Sequence, residues 1–300
     1  MSEAARVQWF PGHMAKTRRI MASNMKLVDA VVEITDARIP YSSRNPEIKR
    51  ICGKKPRLVL LNKADSADPD VTSMWISHYK NKGLFALATD CRSGRNVNRV
   101  YPVLKELLAE ELLKWEARGM AGRPVRIMIV GIPNVGKSSF INRLAGSRAA
   151  KVEDRPGVTK GKQWVRLEEG FELLDMPGVL WPKFDDKLVG ERLAFTGAVK
   201  DDILDTEYLA CRLLELLESD YPGLLTERYG ISLEDLPEDP EDGETAGCVR
   251  GYELLERVGR KRGFLVSGGE INTERAANTV LDEFRGGKIG RMTLERPVQS

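Results

Sequence analysis

Two short strings in this chain carry residue types suited to recognising phosphate and purine. Residues 131–138 read GIPNVGKS, which satisfies G-x-x-x-x-G-K-[ST] and directly follows the apolar run at 125–130. Gly131 and Gly136 let the backbone close around an anion, with the N–H groups of Val135, Gly136, Lys137, Ser138 and Ser139 facing phosphate from the start of a helix. Lys137 then reaches the β- and γ-phosphates, and Ser138 presents a hydroxyl to Mg2+. The second string, NKAD at 62–65, closes the apolar run at 58–61. The Asp65 carboxylate can accept from N1–H and the 2-amino group of guanine, Asn62 can serve the opposite edge, and the Lys63 stem can cover the ring. Adenine has neither donor and would leave Asp65 desolvated and unpaired. An Asp here can also be no more than a helix N-cap. Two weaker strings fit the same chemistry. Asp175 and Gly178, in DMPG after the apolar run at 171–174, suit a carboxylate that holds the metal through water and an N–H that meets the γ-phosphate. Thr159, in PGVTK at 156–160, offers a second hydroxyl to Mg2+.

Such groups converge only if strand ends hold them. Short apolar, β-branched runs at 28–34, 58–61, 84–88, 125–130 and 171–174 predict buried strands, with helical patterns between most of them. The best helical stripe is Val100, Val103, Leu104, Leu107, Leu108, Leu112 and Trp115, at three-and-four spacing. Strands alternating with helices imply a mainly parallel sheet covered on both faces. The stretch ARGMAGRP at 117–124 reads as a turn-rich joint. Beyond Pro182 the strand signals fade and helices take over, including 206–217 and 273–284. The expected organisation is an α/β domain over 1–183 and an all-α domain over 184–300. The acidic, Pro- and Gly-containing segment at 232–247 suits a solvated loop.

Composition narrows the class. No run approaches the ~18 consecutive apolar residues of a membrane span, and the N-terminus lacks an apolar signal core, so a cytoplasmic protein is expected. Cys52, Cys91, Cys211 and Cys248 are scattered, with only His13 and His78 as nitrogen partners, so neither zinc nor a disulfide frame is suggested. The net charge of +3 hides a segregation. Residues 1–63 carry 13 Lys/Arg against 5 Asp/Glu, residues 201–256 carry 3 against 17, and residues 257–300 carry 9 against 5. Basic ends attract phosphate-rich partners through counterion release, although a solvated surface has the same composition.

The chain resembles the ribosome biogenesis GTPase A family. The resemblance rests on WFPGHMAK (9–16), DARIP (36–40), SSRNP (42–46), NKAD, GIPNVGKS, DRPGVT (154–159), DMPGVLWPKF (175–184) and GKIGR (287–291), and it covers nearly the whole length. It implies a doubly wound P-loop GTPase sheet that is circularly permuted, with motifs in the order four, five, one, two, three, followed by an all-α domain. Permutation is physically reasonable because termini of such domains lie close together at the surface. The fifth motif would be Ala88-Thr89-Asp90 with Cys91, which departs from the usual Ser-Ala-Lys. The family implies GTP hydrolysis coupled to late assembly of the large (50S) ribosomal subunit, with rRNA and ribosomal proteins as partners.

The resemblance also nominates residues for mechanism. Val179 stands where Ras-like enzymes carry the water-orienting Gln, and an aliphatic side chain cannot hydrogen-bond water. His13 is nominated in its place; the alternatives are a loop histidine or an rRNA contact. Asn134 corresponds to an Asn that helps coordinate K+ in potassium-using relatives, or else it shapes the loop. Arg257, Arg260, Lys261, Arg262, Arg285, Lys288 and Arg291 are candidate phosphate contacts in the helical domain. A scaffold that keeps GTP mainly as a structural or switch ligand is the other reading.

Overall fold

The computed structural model describes residues 19–146, 164–175, 186–199, 205–238 and 248–298. Its centre is β1 (Ala30–Asp36), in which all seven residues are buried. Such a strand needs cover on both faces and a partner for every polar group it carries. Arg44 reaches the Glu33 carboxylate at 2.7 Å, and the Thr35 hydroxyl donates to the Leu60 carbonyl at 3.0 Å. The sheet has six strands: β2 (Arg57–Asn62), β3 (Phe85–Ala88), β4 (Val125–Gly131), β5 (Trp164–Arg166) and β6 (Phe171–Asp175) join β1 in the order β3-β2-β1-β4-β6-β5. All neighbours are parallel except β5, which runs antiparallel to β6.

The five expected strands are present. β1 is shifted toward Asp36 because its polar end pairs in register, Thr35 with Leu61 and Asp36 with Asn62. β5 was not expected: three half-exposed residues leave too short a pattern to read.

Register sorts the apolar residues onto the two faces. Val31, Met128 and Leu174 form one row and pack with Ile48 and Cys52 of α1 (Pro46–Cys52). On the same face, Val59 and Leu61 meet Val71, Trp75 and Tyr79 of α2 (Pro69–Asn81). Both helices start with a capped Pro: Asn45 accepts from the Glu47 N–H, and Asp68 accepts from the N–H groups of Asp70 and Val71. On the other face Tyr101 meets Phe171, with ring centroids 5.3 Å apart. Tyr101 belongs to α3 (Val100–Leu107). The single apolar stripe expected over 100–115 is divided at Leu108 (φ −104°, ψ 9°), beyond which α4 (Ala109–Ala117) begins. Its residues Val100, Leu104, Leu108 and Trp115 are nonetheless buried.

A second compact unit spans Asp186–Leu294 and is helical. It comprises α6 (Lys187–Phe195), α7 (Thr206–Asp220), α8 (Pro222–Tyr229), α9 (Val249–Arg262) and α10 (Thr273–Arg285), whereas α5 (Lys137–Ala145) belongs to the first unit. Leu213, Leu214, Leu217, Leu254, Leu255, Val258, Val280, Leu281 and Phe284 form its core. Among the described residues no helix is long and apolar enough to cross a membrane.

The chain does not remain in the helical unit to its end, as the division at 184–300 expects. From Glu295 it returns to the first unit. The Glu295 carboxylate accepts from the N–H groups of Tyr41 (2.6 Å) and Ser42 (3.1 Å) and from the Ser42 hydroxyl, while Trp75 donates its indole N–H to the Glu295 carbonyl at 2.9 Å.

Candidate nucleotide site

Parallel strands bring their carboxyl ends to one edge, where ligands of open α/β sheets bind. Here that edge collects Asp36 from β1, Asn62 from β2, the Thr89-Asp90 segment after β3, Gly131 from β4 and Asp175 from β6. Gly131 leaves β4 so close to β1 that a Cβ there would lie 2.6 Å from the Ile34 carbonyl oxygen. The loop turns through Asn134, in the left-handed region at φ 59°, and Gly136, at φ 96°. α5 (Lys137–Ala145) follows, and no side chain caps its first turn. Ser138 and Ser139 are exposed on that turn. An uncapped amino end preceded by a tight loop presents N–H groups and the positive pole of a helix dipole to an anion. Lys137 is half-buried and donates from Nζ to the Ile132 carbonyl at 2.8 Å, which holds it across the loop.

Asn62 joins two motifs that lie far apart in sequence. It is buried, its Nδ2 donates to the Val135 carbonyl of the phosphate loop at 2.7 Å, and its Oδ1 accepts from the Cys91 N–H at 3.0 Å. One amide therefore ties the loop after β4 to the loop after β3. A second N–H and a second lone pair remain on the amide for other partners. The NKAD string by itself points Asn62 to the base and carries no sign of this tie or of the engaged Cys91 amide. The thiol of Cys91 is buried and pushed up to about 12 by desolvation and by the nearby Asp90.

The base-recognition string lies beside this tie. Ala64 donates its N–H to the Thr89 carbonyl at 3.1 Å, which seats NKAD against the following loop. Asp65 is not the cap of α2; Asp68 is, which removes the bland alternative for Asp65. Asp65 instead accepts from the Ser93 hydroxyl at 2.9 Å and from Arg95 Nη1 at 2.8 Å. Burial would raise its pKa, but hydrogen bonds from Asp90, Arg95 and Ser93 outweigh that and lower it. Asp90 moves the other way, raised by burial and by facing Asp65. The two carboxyls are thus shifted in opposite directions, Asp65 toward and Asp90 away from its ionised form. Asp90 also shapes its own loop, accepting from the Arg92 N–H at 2.7 Å. Ser93 and Arg95 carried no motif signal, so the sequence reading missed them.

Lys63 sits at φ 61°, with its ammonium 3.0 Å from Asp36 Oδ2. Asp36 is also gripped by Arg38, so the DARIP string belongs to this site. Burial opposes ionisation of Asp36, but Arg38 and Lys63 together hold its carboxyl well below the usual range. His13, Thr159, Gly178 and Val179 lie outside the described residues. Asp175 closes β6 in register with Ile129 of β4, two residues before Gly131. A serine hydroxyl on the first turn of α5 and a carboxylate position at the end of the adjacent strand are hard oxygen donors of the kind Mg2+ takes.

The sequence of the ribosome biogenesis GTPase A of Bacillus cereus is 47% identical to this chain over 97% of it and 94% of the relative. The chain belongs to the ribosome biogenesis GTPase A family. The Thermotoga maritima member is 31% identical over 97% of this chain and 95% of its own length. Mitochondrial ribosome-associated GTPase 1 of Mus musculus is 34% identical, with 97% and 90% covered. A family model described as "50S ribosome-binding GTPase" matches residues 126–230. Among solved structures, GDP-bound YlqF of T. maritima aligns with a TM-score of 0.65 at 29% identity, covering 94% of this chain and 100% of that one. As a family member the chain is a GTP-hydrolysing enzyme on a circularly permuted P-loop fold, and GTPase domains of this kind use Mg2+.

Proposed function

We propose that this GTPase acts on the precursor of the large (50S) ribosomal subunit, binding it with GTP and leaving after hydrolysis. The Asn62 tie carries the nucleotide part of this reading, because it brings the phosphate loop and the base-recognition loop into one pocket edge. In it, Asp65 reads the guanine donors, Lys137 and the N–H groups at residues 135–139 cradle the phosphates, and Ser138, Thr159 and Asp175 hold Mg2+. When bound, that ion neutralises charge on the phosphates. Asn134 helps to hold K+ beside them, and Gly178 offers its N–H to the γ-phosphate. His13 assists the attack of water in place of the missing Gln. His13→Ala is expected to lower particle-stimulated turnover by ~10²-fold or more while GTP affinity stays near that of the native protein. Equal turnover in the two proteins removes His13 from the chemistry.

The helical unit is the rRNA-docking element of this proposal. Its seven candidate phosphate contacts differ in their surroundings. Arg257 is held by Glu253 and by the carbonyls of Ser232, Glu234 and Asp235, Arg262 pairs with Glu283, and Arg285 donates to the carbonyls of Ala194 and Phe195. Arg260, Lys261, Lys288 and Arg291 are exposed and suited to phosphate. Sedimentation of the full chain with large-subunit precursors tests the reading. Co-sedimentation in a non-hydrolysable GTP analogue and release in GDP are expected; equal behaviour in both nucleotides, or no binding in either, overturns it.

A further inference from the structure

The end of β1 holds a buried group of charges that nucleotide chemistry does not require at first sight. Asp36 and Arg38 are each 1% exposed. Arg38 grips the carboxylate with Nε on Oδ1 at 2.9 Å and Nη2 on Oδ2 at 2.8 Å, and its backbone N–H adds a third bond at 3.0 Å. The remaining cation is Lys63, which stands next to Asn62 in the base-recognition string and is 25% exposed. Burying a carboxylate and a guanidinium is costly, and an apolar pair of similar volume would serve packing as well or better.

The charges are not the main support of the loop either. The Asp36 N–H donates to the Ser43 hydroxyl at 3.0 Å and the Ala37 N–H to the Asn62 carbonyl at 2.8 Å, while Ile39 and Ser43 close turns onto Asp36 and Ile39. What the carboxylate alone does is fix the ammonium of Lys63. That residue sits in a left-handed conformation, φ 61°, which a lysine adopts only at some cost and which sets where its side chain leaves the backbone. A lysine stem has four rotatable bonds, and one pinned at its far end has already lost the freedom that binding would otherwise remove.

We propose that Asp36 and Arg38 are positioning residues for guanine binding: Arg38 locks the Asp36 carboxylate, the carboxylate pins the Lys63 ammonium, and the lysine stem is thereby laid out as a preformed cover for the base. This rests on the reading of NKAD as the base site. It gives the DARIP string a role in nucleotide affinity, exerted through one residue of the neighbouring strand end.

The test is a mutant cycle read as the dissociation constant of a fluorescent GDP analogue on the full chain. Lys63→Met keeps an apolar stem and removes the ammonium; it is expected to weaken GDP about tenfold, the scale of one lost charge-assisted contact. Lys63→Arg, which keeps a cation within reach of Asp36, is expected to recover most of that loss. Arg38→Lys gives up the two-pronged grip and is expected to weaken GDP as well, yet the double variant Arg38→Lys/Lys63→Met should bind no more weakly than Lys63→Met. Native affinity in Lys63→Met, or losses that multiply in the double variant, overturn the proposal. If Arg38→Lys fails to fold, the Lys63→Met and Lys63→Arg pair decides alone. Asp65→Asn serves as the control: unchanged GDP affinity there means that the base-site reading has failed, a result distinct from failure of the positioning role.

Discussion

At the residue scale two carboxyls of the site are shifted in opposite directions. Asp65 and Asp90 face one another, and the hydrogen bonds that Arg95 and Ser93 give to Asp65 favour its ionised form, while burial and Asp65 itself push Asp90 the other way. In the proposed base site guanine would meet this carboxylate, whose partner Arg95 is exposed enough to yield or rearrange. Asp65→Asn should weaken GTP by roughly 10- to 100-fold, the range for losing hydrogen bonds to a charged group. The same variant should prefer xanthosine triphosphate, whose 2-position carries oxygen in place of the amino group. Competition between the two nucleotides for the variant measures this directly, and undiminished GTP binding counts against Asp65 as the base reader.

At the scale of elements, the phosphate loop is a strand-to-helix turn held from the side. Gly136 combines a left-handed backbone, φ 96°, with a neighbour so near that a Cβ would fall 2.4 Å from Asn62 Nδ2. Gly136→Ala therefore strains the turn and displaces the amide that joins this loop to the one after β3. A stability loss of about 1–3 kcal/mol is expected in denaturant unfolding, with a loss of GDP binding larger than that destabilisation alone would produce. If the variant is destabilised yet binds GDP normally, the loop does not hold phosphate in this conformation. The antiparallel β5 and the division of the 100–115 stripe are smaller matters at this scale.

For the whole molecule the decisive feature is that the first unit is completed by the last residues of the chain. In chain order the helical unit therefore lies between two segments of the first unit. The returning segment opens with Glu295, 5% exposed, whose carboxylate serves two backbone N–H groups and the Ser42 hydroxyl. Glu295→Ala would leave the buried Ser42 N–H and hydroxyl without this acceptor. A cost of about 2–4 kcal/mol is expected, seen as a lower urea midpoint for unfolding of the full chain. Native stability in this variant would show that the terminal segment is not a structural part of the first unit.

The strand-and-helix alternation, the parallel sheet, the phosphate loop after β4 and the family were all legible in the residues alone, because each is written in local spacing: apolar periods, glycines at fixed offsets, strings of eight residues or fewer for the two nucleotide motifs. Cap chemistry is equally local: Asp68 before Pro69, and not Asp65, caps α2. Only tertiary structure decided the rest. It tied Asn62 to Val135 and Cys91, gave Arg38 and Lys63 a common carboxylate, set Arg95 on Asp65, and gave protein partners to Arg257, Arg262 and Arg285. Most of those partners lie between 21 and 91 residues apart, and those of Glu295 up to 254. A hydrogen bond across such a distance leaves no periodicity behind, since its donor and acceptor are chosen by how strands and helices pack and not by their order in the chain.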